Sequence, residues 1–65
     1  MLEKKYMVVG DFCEYYNDDW QLVTHDIVEC SDFKEALQEA DRIEKNGWCN
    51  EEVVNIRLEE RLYAK

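Results

Sequence analysis

The residues most able to do chemistry in this sequence are Cys13, His25, Cys30 and Cys49, set among sixteen acidic side chains. A structural or catalytic zinc site draws on cysteine and histidine, but it normally needs at least one closely spaced ligand pair. No C-x2-C or H-x3-H spacing occurs here, so the thiols and the histidine are expected to sit in or beside strands without a metal. A Cys–His nucleophile needs a third group to orient the base and a pocket for the oxyanion. A chain of 65 residues has little room to enclose one, because domains of that size bury only about 60% of the surface exposed on unfolding. Carboxylates could act as general acids only where desolvation raises their pKa, and no acid here is marked as buried. Gly10 and Gly47 begin neither a G-x-G-x-x-G nor a G-x-x-x-x-G-K pattern, so no phosphate-cradling loop is present. The expectation is a non-enzymatic chain with no catalytic residues and no cofactor.

The distribution of charge is more informative. Eight basic against sixteen acidic residues give a net charge of −8, which disfavours direct contact with nucleic acid or an anionic membrane. No lysine or arginine lies between Lys5 and Lys34, a stretch that holds Asp11, Glu14, Asp18, Asp19, Asp26, Glu29 and Asp32. Inside it, Glu14-Tyr15-Tyr16-Asn17-Asp18-Asp19-Trp20 interleaves three large aromatics with three acids. Tyr and Trp are favoured interface anchors, and carboxylates beside them steer and pair with basic groups on a partner. The candidate partner-binding residues are therefore Asp11, Glu14, Tyr15, Tyr16, Asp18, Asp19, Trp20, Asp26 and Glu29; the competing reading is a solvated acidic surface whose aromatics merely cover a sheet.

These residues need elements to position them. Residues 6–16 are rich in aromatic and β-branched types and lack a helical stripe, which predicts a strand, apolar on both faces through Phe12. Asn17-Asp18-Asp19 supplies a turn, and 20–30 returns as a second strand with Val23, His25 and Ile27 on one face and Leu22, Thr24, Asp26 and Val28 on the other. Asp32-x-x-Glu35 has the form of a capping box. Phe33, Ala36, Leu37, Ala40 and Ile43 then give an apolar stripe over a helix at 33–46, closed by Asn46-Gly47 and supported by an Asp41–Lys45 pair. On this reading a charge at Leu37 costs several kcal/mol, as burying an unpaired ion does. The alternation of 53–59 predicts a third strand with Val54, Ile56 and Leu58 toward the helix, which Leu62 and Tyr63 extend or cap. Gly10 allows a close helix–sheet approach or a bulge in the first strand.

The element order β-β-α-β implies an α+β fold in one domain spanning 1–65. Its sheet has three antiparallel strands in order 2-1-3, with the helix on one face. The other face is left to solvent, a second copy or a partner, so self-association into a homodimer is expected. Hydrophobic residues at 46% and aromatics at 12% are enough to drive folding. No apolar run approaches the ~20 residues of a membrane span, and the first residues lack a signal-peptide core. An odd number of cysteines without repeated spacing fits free thiols in a reducing cytoplasm.

Acidic hairpins can imitate DNA, but only in part here. Same-face residues on a strand repeat every ~6.7 Å, so two strands offer a carboxylate per ~3.4 Å against a duplex phosphate per ~1.7 Å. Asp11 and Glu14 differ in parity, as do Asp26 and Glu29, so an acidic patch that blocks a basic channel is the better-supported form. In size, acidity, element order and its aromatic, acidic hairpin, the chain resembles small phage-encoded inhibitors of the anti-CRISPR type. That resemblance implies a cytoplasmic protein, in the bacterial host cell, that docks on the basic surface of a defence or nucleic-acid enzyme. No functional residue is carried over from it. The alternative is a small structural or regulatory domain acting through homo-oligomerisation.

Overall fold

The computed structural model describes residues 1–64. Strands β1 (Leu2–Tyr16) and β2 (Asp19–Cys30), helix α1 (Phe33–Asn46) and strand β3 (Val54–Ala64) follow in that order. They form one antiparallel sheet in order β2-β1-β3 with α1 across one face, the expected α+β architecture.

Tight turns set the pairing. Asn17 and Asp18 both have positive φ (50° and 63°), the signature of a type I′ turn, whose twist matches that of the flanking strands. The hairpin loop thus has two residues, and Asp19, expected in the turn, already belongs to β2 opposite Tyr16. The connection from α1 to β3 repeats the device at Cys49 and Asn50, also at positive φ. There the amides of Trp48 and Glu51 each donate to the other's carbonyl at 2.9 Å.

Even-numbered residues of β1 face the helix. Val8 and Phe12 join Cys30, Ala36, Ile43 and Val53 in the core, with Tyr6, Ile27, Val28, Ala40, Ile56 and Leu58 packed against it. Between Val8 and Phe12 sits Gly10, whose missing side chain makes room for its neighbours. A Cβ there would collide with Val53 Cγ1 and lie 3.2 Å from Ile27 Cδ1. The close approach that Gly10 allows is therefore to the residue leading into β3 and to β2, not to the helix.

Two bulges flank this point, and both lie outside β1. The register passes from Val8↔Val28 to Val9↔Asp26, so Ile27 is the extra residue on β2. It passes from Val9↔Arg57 to Asp11↔Val54 on the other side, with Asn55 at φ 55°, as an αL bulge residue requires. The first bulge overturns the simple parity expected for β2. Val23 and His25 share the helix face with Val28 and Cys30, while Asp26 and Glu29 come to the same, opposite face. A one-residue insertion flips every side chain beyond it.

Helix α1 starts where expected, but Asp32 is extended (φ −121°, ψ 136°) and its side chain makes no capping bond. Gly47 closes the other end, its amide donating to the Ile43 carbonyl at 2.7 Å, and Lys45 pairs with Asp41 at 3.1 Å. Only Ala36 and Ile43 of the stripe are buried. Leu37 is 49% exposed, as is Phe33, because the helix rolls onto its small residues. Leu37 is thus not the core position that its spacing suggested, and a charge there meets water instead of apolar packing.

Gly10→Ala should destabilise the fold by about 1–3 kcal/mol, the usual cost of overpacking, and Ile43→Ala by about 2–5 kcal/mol, through loss of a fully buried side chain. Urea unfolding followed by circular dichroism measures both, and a Gly10→Ala midpoint equal to wild type would contradict the packing described.

Candidate functional site

The face of the sheet away from α1 is not an apolar plane. Asp11, at the middle of the central strand, draws donors from both neighbours. It accepts from Thr24 Oγ1 of β2 at 2.7 Å, from Asn55 Nδ2 of β3 at 2.9 Å and from Arg57 Nη1 at 3.2 Å. The αL bulge aims Asn55 at this carboxylate, and Arg57 also donates to the Asn55 carbonyl at 2.7 Å. The Asp11 side chain is 14% exposed. The hydrogen bonds from Thr24 and Asn55, aided by Arg57, hold its pKa below the ordinary carboxylate value of 3.8 despite partial burial.

One step along the sheet, Arg61 of β3 reaches across β1 to Asp26 of β2 in a bidentate pair, at 2.6 and 2.7 Å, and also meets Glu59 at 3.3 Å. The Arg61 hydrogen bonds lower the pKa of Asp26. Further along, the Tyr63 hydroxyl donates to Glu29 Oε2 at 2.5 Å, which raises the phenol pKa, and Lys5 lies 3.6 Å from Glu29. Beneath this polar lattice Val9 is 1% exposed. It lies opposite Asp26 and Arg57 in the register, and an arginine stem beside it is suited to screen apolar surface while its head stays hydrated. The uncovered face of the sheet, the basis for expecting self-association, is therefore occupied, over the three-stranded region, by paired charges.

Beyond Asp11 the sheet changes character. β3 begins at Val54, opposite Asp11, so residues 13–22 pair only with one another and project as a two-stranded arm. The molecule is correspondingly long, with extents of 46 × 25 × 16 Å. Cross-strand pairing places Tyr15 beside Trp20 and Cys13 beside Leu22, and the Tyr15 and Trp20 rings meet edge-on at 5.3 Å. These four share the arm's open face, with Tyr15 57% and Trp20 65% exposed. Tyr16 and Asp19 lie on the reverse side. There Glu14 Oε2 is 2.5 Å from His25 Nε2, and the His25 ring abuts Phe12 at 5.3 Å. Asp18 sits in the turn, and Asp19 accepts the Trp20 backbone amide at 2.8 Å. Neither is ion-paired among the described residues.

The nine candidate residues thus separate into two groups. Asp11, Asp26 and Glu29 tie the sheet together internally, and Glu14 pairs with His25. Tyr15, Tyr16, Asp18, Asp19 and Trp20 gather at the projecting tip. Leu22 and Cys13 complete its apolar face and were missed; their signal was the two-residue turn, which makes 15↔20 and 13↔22 direct pairs. The thiols are dispersed and free: Cys13 exposed on the arm, Cys30 buried, and Cys49 exposed in its turn. Burial pushes the Cys30 thiol up, with Glu35 and Glu39 adding to it, so it is a poor nucleophile. Among the described residues no group of three or more His, Cys, Asp or Glu could hold a metal ion, and no helix is long and apolar enough to cross a membrane. Comparison with protein-family models, curated proteins and solved structures finds no match to the chain.

Both lowered carboxylates set an acid limb. A depressed folded pKa stabilises the protein above the unfolded value and is lost as pH falls through the folded one. The urea midpoint should therefore be level near neutrality and drop below about pH 4. Asp26→Asn should lower the midpoint at neutral pH and flatten the acid limb; an unaltered profile in that variant would contradict the assignment.

Proposed function

We propose that this protein is a non-enzymatic binding module, an inhibitor or adaptor, that docks the tip of its β1–β2 arm onto a basic protein surface. The observation that carries this reading is the tip itself. Tyr15, Tyr16 and Trp20 stay solvent-exposed next to Asp18 and Asp19 on a projection that holds no lysine or arginine. Exposed aromatics on a hairpin closed by a tight two-residue turn are the residue types that become buried anchors in interfaces. The carboxylates of Asp18 and Asp19, which meet no cation among the described residues, supply rim charges that speed encounter with a cationic partner. The acids farther from the tip contribute to the long-range field, but their hydrogen bonds are made within the sheet, so the contact residues contract to the tip.

A basic surface of this kind is what enzymes that handle nucleic acid present to phosphates. The reading extends to blocking such a surface on a bacterial defence or nucleic-acid enzyme, in the manner of the small phage-encoded inhibitors the sequence resembles. The arm would then act by occupying the channel instead of copying the phosphate spacing.

Affinity capture from bacterial lysate tests this, comparing wild type with Asp18→Lys/Asp19→Lys/Trp20→Ala and with Asp26→Asn. Wild type and Asp26→Asn should retain the same nucleic-acid enzyme, the triple variant should lose it, and capture should weaken as salt rises. In a purified pair, Trp20→Ala should cost about 2 kcal/mol or more. Equal recovery by wild type and the triple variant would remove the tip from the interface.

A further inference from the structure

We infer that β3, together with the flank of α1 beside it, is a self-complementary edge that joins two copies of this chain into a six-stranded sheet. This surface is separate from the arm, and the inference does not depend on the arm's function.

The two sides of α1 differ. Glu35 and Glu39 lie on the side of the Cys30 thiol of β2, whose titration they influence. Glu44, on the same helical flank as Leu37 one heptad earlier, lines a depression with Val53, Val54, Asn55 and Ile56. The flank toward β3 therefore carries Leu37, and Phe33 one turn before it, each 49% exposed. Beside them on the helix face of β3 stand Ile56 and Leu58, both half-buried, and Leu62, which is 59% exposed. An apolar helix flank and a strand face of Ile56, Leu58 and Leu62, interrupted by Glu60 opposite Tyr6, thus meet at one open edge of the sheet.

That edge also fits itself in charge. β3 contains no proline, and its charged residues, Arg57, Glu59, Glu60 and Arg61, are of both signs, so they guard the edge against unrelated strands while leaving a second copy as a complementary partner. When two β3 strands pair antiparallel about Leu58, each Arg57 lies directly opposite the other copy's Glu59, Ile56 lies opposite Glu60, and the two Leu58 side chains meet on the helix face. Opposite charges in directly facing positions stabilise strand pairs, and like charges disrupt them. The other edge, β2, holds Asp19, Asp26 and Glu29 with no lysine or arginine, so it repels a copy of itself. A two-fold axis at the β3 edge places both helices on one face with their Leu37 flanks turned toward each other. It is an isologous arrangement that closes without leaving a β3 edge exposed. The arms then leave from opposite ends of the sheet.

Sedimentation equilibrium of the full chain from about 10 μM to about 1 mM covers the affinities expected of such an interface. It is run near 0.15 M salt, where the net charge is screened over about 8 Å. Wild type and Trp20→Ala should approach twice the 7.9 kDa chain mass. Leu37→Glu, with an unchanged circular dichroism spectrum, should remain at the chain mass. A second reading covers the case in which Leu37→Glu does not fold: in wild type, amide exchange in 56–60 should slow with rising protein concentration while exchange in β2 does not. A wild type that is monomeric throughout, a folded Leu37→Glu that still dimerises, loss of the dimer in Trp20→Ala, or β3 exchange independent of concentration would each overturn the inference.

Discussion

One carboxylate organises this molecule. Asp11 sits on the central strand where the three-stranded body ends, and it is hydrogen-bonded from Thr24 on one side and from Asn55 and Arg57 on the other. A sheet covered by a single helix must expose its second face, and an exposed apolar face on a chain of this size invites non-specific association. Here that face is closed by charge instead of by a second layer. Acids from β1 and β2 meet arginines from β3 across the strand between them, and Val9 is sealed beneath. Because the arginines come only from β3 and its neighbours, the lattice stops where β3 stops.

That boundary produces the arm. Past Asp11 there is no third strand to supply a cation, so the acids of the tip have no arginine within reach and the aromatics have no layer above them. The same composition, acids interleaved with tyrosine and tryptophan, is structural on one side of Asp11 and presented to solvent on the other. The two bulges belong to this arrangement. The one at Ile27 turns Asp26 and Glu29 onto the same face, and the one at Asn55 aims an amide at Asp11. Gly10 between them lets Val53 pack where any side chain would intrude.

Much of the fold was legible because its signals are local. The period of 33–46, the Asn46-Gly47 stop and the alternation of 53–59 each depend on neighbours in sequence, and the strand order follows from the crossover rule. Apart from the shorter turn at Asn17-Asp18 and the missing cap at Asp32, the departures involve partners distant in sequence. The first strand, expected from residue 6, starts at Leu2, where Lys5 pairs opposite Arg61 and Glu3 opposite Tyr63. Leu37 fits the helical stripe, yet the sheet accepts the smaller Ala36 and Ala40 beneath the helix and leaves Leu37 at its margin. Gly10 marked a bulge in the first strand, but the extra residue, Ile27, lies on the neighbouring strand, which carries no marker of its own. At the site, the aromatic tip could be read from residue types alone. The internal pairing of Asp11, Asp26 and Glu29 could not, because it depends on Arg57, Arg61 and Tyr63, each more than thirty positions from its acid.

The account rests on this division of the acids, and paired neutralisation tests it most directly. Asp11→Asn/Asp26→Asn and Asp18→Asn/Asp19→Asn each remove two negative charges from the same hairpin, so the change in net charge is identical. Urea midpoints at neutral pH and moderate salt should fall for the first pair, which loses its charge-assisted bonds across the sheet. For the second pair they should stay level or rise, because it loses only repulsion. Equal midpoints for the two variants, or a greater loss at the tip, would contradict the separation of structural from presented carboxylates.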